Sequence, residues 1–177
     1  MREENKARLD DMMALHEKRL AEMRRRHELA RELHDVFIEE FERLVDGAIR
    51  PTMNEVGGAL RKHGHEYQIS ITQGYTDSRG HIRRTQITML VYPAGIPRSL
   101  FSSTSTPYVA FAADWLDKRV VVLQYTLTPL GASRSALGNG KSGRRAAHTL
   151  KQLTRSAVER EIVDVLTEVF GREQMLG

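Results

Sequence analysis

The stretch GNGKS, Gly138 to Ser142, contains the residue types of a phosphate-binding loop. Such a loop needs G-x-x-x-x-G-K-[ST] directly after a parallel strand, so that backbone N–H groups and a helix N-terminus surround the phosphates. Ser135 stands where the first glycine is needed, and the preceding strand is expected to end near Thr128. The spacing therefore favours a basic, glycine-rich turn over a nucleotide site.

Basic residues are concentrated around this turn, in segment 131–151. Its glycines allow backbone amides to approach an anion closely. The alternative is a flexible, solvated loop without a ligand. The candidate anion-binding residues are Arg134, Lys141, Arg144, Arg145 and Lys151.

The run GNGKSGRRAAHTL resembles the loop and helix start with which double-stranded RNA-binding domains contact phosphates. Its basic pair is shifted by one residue from that family's pattern, and the sequence predicts four strands rather than three. The resemblance makes nucleic acid a candidate partner without assigning a family.

Residues suited to catalysis or metal binding do not form a complete set. The sequence GASRS, 131–135, lacks the final glycine of a serine nucleophile elbow. Asp114 and Asp117 flank a predicted turn, where Asp commonly bonds the local backbone. His63 and His65 form an HxH pair, but His63 suits the negative end of a helix and no acidic third ligand is evident. Because the chain also lacks cysteine, we expect no enzyme activity, no catalytic residues, no metal and no cofactor.

The composition favours one domain with an extension. A chain of 177 residues is long enough for one well-buried core and short for two. Its N-terminus, MREENKARLD, is charged where a signal peptide is apolar, and no segment approaches the roughly 20 apolar residues that span a bilayer. With the absence of cysteine, these features predict a cytoplasmic protein without a membrane segment.

The net charge of +4 is unevenly divided along the chain. Residues 1–46 carry 10 Lys and Arg against 13 Asp and Glu, whereas the remainder carries 17 against 10. The basic excess after Asp46 is compatible with an anionic partner for the globular part.

The strongest periodic pattern begins at Leu9, where apolar and histidine residues recur at alternating spacings of four and three. No Gly or Pro interrupts residues 1–46, so the pattern predicts a helix roughly 60 Å long. Such a helix is too long to bury its apolar side on so small a domain, which favours packing against a second copy or another helical protein. The predicted interface residues, here called the seam, are Leu9, Met13, His16, Leu20, Met23, His27 and His34.

The three seam histidines have two interpretations. They fill a partly wet interface as amphipathic side chains, or they form a pH-sensitive junction, because protonation would place like charges together. Metal binding is disfavoured, since His27 and His34 are two turns apart while helical chelation uses i, i+4 pairs.

Charges beside the seam bear on the orientation of a dimer. A parallel, in-register pair would place Arg19 opposite Arg24 of the second copy, and Arg26 opposite Arg31. Each like-charge contact costs a few tenths of a kcal/mol. Parallel pairing is therefore disfavoured, while antiparallel pairing or docking on another protein stays open.

The apolar face of the helix widens from Val36 onward, as packing on a sheet requires. The chain is thus predicted to divide into a helical arm, 1–35, and one α+β globular domain, 36–177. Pro51 is expected to kink the helix or begin a new one. Gly64 is expected to follow the helix in the left-handed conformation.

Four strands in two hairpins are predicted for the globular domain. EYQISIT alternates apolar and polar residues, and TDSRG is a turn before the second strand, HIRRTQITMLVY. YVAFAAD and RVVVLQYTLT form the other hairpin across WLDK. Segment 93–107 is predicted to be a long Ser/Thr-rich loop, and AAHTLKQL fits either a short helix or an edge strand.

The last helix is expected to begin with a capping box, Ser156 with Glu159, and to stop at Gly171. Its apolar face should cover the sheet beside the helix Val36–Leu60. The predicted fold class is therefore α+β, with a long N-terminal helix bearing a coiled-coil-like arm, a four-stranded antiparallel sheet and a C-terminal helix packed on it.

These patterns favour a non-enzymatic assembly or adaptor protein that self-associates, or docks on a partner, through its N-terminal helix. The alternative is a nucleic-acid-binding module that uses the basic segment 131–151. The sequence identifies neither the partner nor the number of subunits.

Overall fold

The computed structural model describes residues 2–76, 78–79, 82–127 and 142–171. The chain divides into two units, Met1–Phe37 and Ile38–Gly177. Two of the candidate anion-binding residues, Arg134 and Lys141, lie outside the described residues.

A continuous helical run forms the N-terminal part of the chain. Helix α1 spans Glu3–Leu44, a π-helical turn spans Val45–Ile49, and helix α2 spans Arg50–Lys62. The long helix predicted from the uninterrupted pattern is confirmed. Gly64 follows it with a φ of +81°, which is the left-handed conformation expected there.

Pro51 accounts for the wide turn between the two helices. Proline has no N–H to donate, and its ring crowds the carbonyl four residues earlier. The amide of Arg50 donates to the oxygen of Val45, five residues back as in a π-helix. A new α-helix then begins at Arg50 with Pro51 in its first turn, which is one of the two expected outcomes.

Within the described residues, five antiparallel strands form the main sheet, and two short strands form a separate ribbon. The strands are β1 Glu66–Thr72, β2 Tyr75–Thr76, β3 Ile82–Arg83, β4 Gln86–Tyr92, β5 Tyr108–Asp114, β6 Arg119–Tyr125 and β7 Ser142–His148. The order in the main sheet is β1-β4-β5-β6-β7, while β2 pairs with β3. The antiparallel architecture and the predicted hairpins β1–β4 and β5–β6 are confirmed, whereas the prediction of four strands is wrong.

The missed fifth strand, β7, has the sequence SGRRAAH. Its sequence lacks the alternation of apolar and polar residues that indicates a half-buried strand. Such alternation is not required here, because β7 lies at the edge of the sheet and its register with β6 shifts at Val122/Leu123. The segment AAHTLKQL, which fitted either structure, contains both: its start belongs to β7, and Leu150–Gln152 forms a 3-10 turn.

Helix α3 spans Arg155–Phe170. The predicted capping box at Ser156 is wrong, since the N-cap is Thr154, whose hydroxyl accepts a hydrogen bond from the amide of Ala157 at 3.3 Å. The backbone of Thr154 is extended, as an N-cap requires, and the helix begins at Arg155. It therefore starts two residues earlier than a capping box at Ser156 would predict. The predicted apolar face is confirmed, because its buried residues include Val158, Ile162, Val165, Leu166 and Val169.

The core lies between one face of the sheet and helices α2 and α3. Alternate residues of β4, from Ile87 to Val91, are buried, and Ile87 pairs across the strands with the fully buried Phe111. Helix α2 approaches β1 so closely that a Cβ added to Gly57 would lie 2.3 Å from the ring of Tyr67. The face that carries Tyr67 and Phe111 is therefore the one the helices cover.

The loop predicted at 93–107 folds back over strands β1 and β4. Arg98 lies over the ring of Tyr92, 4.5 Å from its centroid, and pairs with Glu66 at 3.0 Å. Phe101 contacts Tyr92 edge-on, with 5.3 Å between the ring centroids. Glu66 precedes Tyr67 in the strand and so faces the opposite side of the sheet. The loop thus packs on the face away from the helices.

Candidate interaction surfaces

All seven seam residues lie on α1, and none of them is buried. Leu9, Met13 and Met23 are 42%, 50% and 56% exposed. Leu20 and His34 are half-buried, and residues 2–36 as a whole contain no buried side chain. The seam is an accessible row of apolar and imidazole groups along one helix.

Further apolar side chains stand beside the seam. Met12 and Leu33 each precede a seam residue by one position, and both are exposed. Leu15, one position before His16, and Leu29 are exposed as well. The accessible apolar surface of α1 is therefore broader than a single row of side chains.

Ion pairs within α1 stabilise the helix without covering the seam. Arg26 pairs with Glu22 at 2.5 Å and Arg43 with Glu39 at 2.6 Å, each across one turn. Acidic residues in the first turn also suit the positive end of the helix. These contacts favour the helical conformation of the segment that presents the seam.

The seam histidines differ in their surroundings. Nδ1 of His34 lies 3.0 Å from a carboxylate oxygen of Asp35, which orients the ring. His16 and His27 are exposed. Both interpretations of the three histidines, as interface fillers and as a pH-sensitive junction, stay predictions.

The described members of the basic segment fall into two groups. Arg144 in β7 and Lys151 in the following 3-10 turn are exposed. Arg145 is half-buried, with its side chain 21% exposed. The adjacent residues Arg144 and Arg145, both predicted to bind an anion, therefore differ in their exposure to solvent.

Arg145 is held by acceptors from β6 and α3. Its Nε donates to Glu161 at 3.1 Å, and Nη1 donates to Gln124 at 3.1 Å and to Glu168 at 3.0 Å. Nη2 donates to Asp164 at 3.0 Å. Burial disfavours the charged guanidinium, but the hydrogen bonds to Glu161 and Glu168 outweigh it and raise the pKa of Arg145.

A β-bulge explains why Arg145 rather than Arg144 reaches this position. Leu123 of β6 pairs with Arg144 and Val122 pairs with Ala146, so Arg145 is the extra residue of the bulged strand. A bulge re-aims a side chain that would otherwise follow the strand alternation. The signal for the cluster in the sequence is the spacing of Glu161, Asp164 and Glu168, which places three carboxylates on one stripe of α3.

A neighbouring histidine joins the same cluster. Nε2 of His148 lies 2.9 Å from Oε1 of Glu161, a buried residue whose other oxygen accepts from Arg145. The arrangement ties β7 to α3 through charged hydrogen bonds, which are stronger than neutral ones. The cluster thus joins the two elements through one guanidinium and three carboxylates.

The resemblance to double-stranded RNA-binding domains is not supported by the local structure. That family places a helix start directly after its basic loop, whereas here Ser142–His148 is a strand. The end of the run, around Leu150, forms only a three-residue 3-10 turn.

One member of the HxH pair before β1, His65, has hydrogen-bond and ring contacts. Nδ1 of His65 accepts a hydrogen bond from the amide of Ala94 at 2.9 Å, and its ring lies 4.5 Å from that of Phe170. Within the residues that the structure describes, no three His, Asp or Glu side chains are grouped so that they could hold a metal ion.

A cleft of about 180 Å³ beside the π-helical turn was not predicted from the sequence. Phe41, Val45 and Ile71 form its apolar part, and the ion pair between Asp46 and Arg50, 3.1 Å long, lies at its side. Its lining combines residues between 41 and 50 with residues between 71 and 86, which are distant in sequence, so no local pattern indicates it.

No helix in the described ranges is long and apolar enough to cross a membrane. No family model, curated protein or solved structure matches this chain.

Proposed function

We propose that the protein is a non-enzymatic assembly or adaptor protein that self-associates through the seam on α1. The observation that carries the proposal is the exposure of Leu9, Met13 and Met23 on one helical row. Large exposed apolar surfaces on a helix are typical of interaction sites. A second helix of the same kind would cover the row with matching side chains.

Two further features support the proposal. Ion pairs such as Arg26 with Glu22 stabilise the helix on its exposed surface, so the seam is presented on an ordered element. The described titratable groups around Arg145 form ion pairs that join β7 to α3. The proposal includes the cytoplasmic location expected from the composition. In the alternative version of the proposal, the seam docks on a different helical protein.

Light scattering of the full-length protein tests self-association. We expect a mass at least twice the 20.2 kDa of one chain, because covering the seam removes apolar surface from water. Changing Leu20 and Met23 to Ser should shift the mass toward that of a single chain. The matched control, Lys18→Ser with Arg25→Ser, carries a similar loss of helix propensity off the seam and should keep the larger mass. A wild-type chain that stays monomeric at micromolar concentration contradicts self-association.

Nucleic-acid binding is the second candidate function. It rests on the exposure of Arg144 and Lys151 and on the excess of basic residues after Asp46. Arg145 contributes little to such a surface, since its guanidinium is already paired with Glu161, Asp164 and Glu168.

Salt dependence tests this second function. Each phosphate contact contributes a log–log slope of about −0.9 for duplex DNA and about −0.7 for single strands, so two to four contacts predict a slope between about −2 and −4. Changing Arg144 and Lys151 to Gln should flatten the slope. Changing Lys62 and Lys118, exposed lysines elsewhere, should leave it unchanged. Absence of binding to DNA and RNA at low salt excludes this function.

A further inference from the structure

The charges that flank the seam differ between its two ends. On one flank, the residues directly after Leu9, His16, Met23 and Ala30 are spaced seven apart and form a row of four: Asp10, Glu17, Arg24 and Arg31. This row is acidic toward the N-terminus and basic toward the C-terminus. In a two-stranded coil such flanking rows set partner orientation. An antiparallel second copy brings the acidic half of this row beside the basic half of its equivalent.

From this charge pattern we propose that the arm pairs with a second copy of itself in an antiparallel register that places Leu20 opposite Met23. The inference rests on the proposed self-association and specifies its geometry. In this register Met13 faces Ala30 and His16 faces His27 of the second copy. The largest seam side chains near the middle of the arm, Leu20 and Met23, thus meet at the centre.

The same register pairs opposite charges along the flanking row. Glu17 lies beside Arg24 of the second copy, and Asp10 lies beside Arg31. Two-fold symmetry repeats each pair, so the dimer contains four attractive contacts. Exposed pairs of this kind are individually weak, but they act together to select orientation.

The other flank adds an apolar contact and one conflict. Met12, an exposed residue beside the seam, meets Leu33 of the second copy, which gives both apolar side chains a partner. Arg19 meets Arg26, a like-charge contact that two-fold symmetry also repeats. Arg26 is already paired with Glu22 of its own helix at 2.5 Å, so the local charge opposite Arg19 is reduced.

Neighbouring registers are less favourable. Shifting the second copy by seven residues in one direction places Glu17 beside its own equivalent. Shifting it in the other direction places Arg24 beside its own equivalent. The parallel arrangement opposes Arg19 with Arg24 and Arg26 with Arg31. The proposed register therefore avoids the like-charge contacts that each alternative introduces along this row.

The substitution Arg24→Glu separates the orientations because they predict opposite signs. In the antiparallel register, Glu at position 24 meets Glu17, and the dimer dissociation constant should rise about tenfold. In a parallel dimer, Glu at position 24 would meet Arg19, and the dimer would tighten. Adding Glu17→Arg restores the antiparallel pair with its charges exchanged, so the double variant should return close to the wild-type constant. Analytical ultracentrifugation of the full-length variants measures these constants.

Arg25→Glu is the matched control, because it makes the same charge change one residue away and off the seam. It should alter the dissociation constant little, and circular dichroism should show equal helix content in both single variants. Tightening by Arg24→Glu, or no change, overturns the register while leaving self-association intact. A monomeric wild type overturns the proposed self-association as well.

Cysteine cross-linking provides a second readout, since the chain contains no cysteine of its own. A mixture of Met13→Cys and Ala30→Cys proteins should give a mixed disulfide dimer, and neither variant should cross-link efficiently with itself. Efficient cross-linking of each variant with itself, without the mixed product, would indicate parallel pairing and overturn the inference.

Discussion

Arg145 and Arg144 show how strongly position decides the role of a residue. They are adjacent and identical in type, yet Arg145 is held by Glu161 and Asp164 of α3 while Arg144 is exposed. The bulge in β7 accounts for this difference, because Arg145 is its extra residue. The guanidinium of Arg145 is therefore expected to stabilise the domain, whereas that of Arg144 lies on its outer surface.

Replacing Arg145 with Met should destabilise the domain by about 3 kcal/mol, because the change leaves the buried Glu161 among other carboxylates without its cation. Urea denaturation followed by circular dichroism measures this difference. Arg144→Met is the matched control and should change the free energy of unfolding by about 0.5 kcal/mol or less. Equal effects of the two substitutions would contradict the assignment of Arg145 to a structural cluster.

The packing of helix α2 on strand β1 depends on the absence of a side chain at Gly57. Gly57 and Gly58 are neighbours in the same helix, but only Gly57 faces the ring of Tyr67 on β1. The absence of a Cβ at position 57 lets the helix approach the edge strand closely. The same residue type at position 58 has no such contact within 4 Å.

Opposite effects are therefore expected from Ala at these two positions. Gly57→Ala should lower the free energy of unfolding by about 1–3 kcal/mol, because the new methyl overlaps the Tyr67 ring and forces helix and strand apart. Gly58→Ala should raise it by about 0.5–1 kcal/mol, since Ala is the better helix former in open space. Thermal unfolding of both variants measures these two changes. A Gly57→Ala substitution that stabilises the domain would contradict the predicted overlap with the Tyr67 ring.

At the scale of the whole molecule, the buried side chains belong to the unit Ile38–Gly177 apart from Phe37, as far as the chain is described. Residues 2–36 contribute no buried side chain. A domain keeps its stability when a segment without buried contacts is removed. The predicted arm, 1–35, is thus expected to be dispensable for folding.

Deleting residues 1–35 should leave a folded, monomeric domain. We expect a cooperative thermal transition within a few degrees of the full-length protein and, by light scattering, the mass of one shortened chain. Loss of the cooperative transition would show that the arm belongs to the folding unit. A folded but still dimeric domain would place the interface outside the seam.

The N-terminal helix and the apolar face of α3 follow from the sequence by itself. Both depend on local periodicity: residues 1–46 lack Gly and Pro, and Val158 to Val169 recur at helical spacing. The hairpins β1–β4 and β5–β6 were predictable for the same reason, because alternation and turn residues are properties of neighbouring positions.

Only the tertiary structure decided what depends on distant parts of the chain. Strand β7 carries no local alternation that would indicate it. It is defined by its pairing with β6, across the register shift at Val122/Leu123, and by the ion pairs of Arg145 with carboxylates of α3. The cap of α3 falls at Thr154 because the preceding 3-10 turn sets where the helix begins. The seam residues were identified from spacing, but their exposure is a property of the fold, since burial is set by what packs against a side chain and not by the side chain alone.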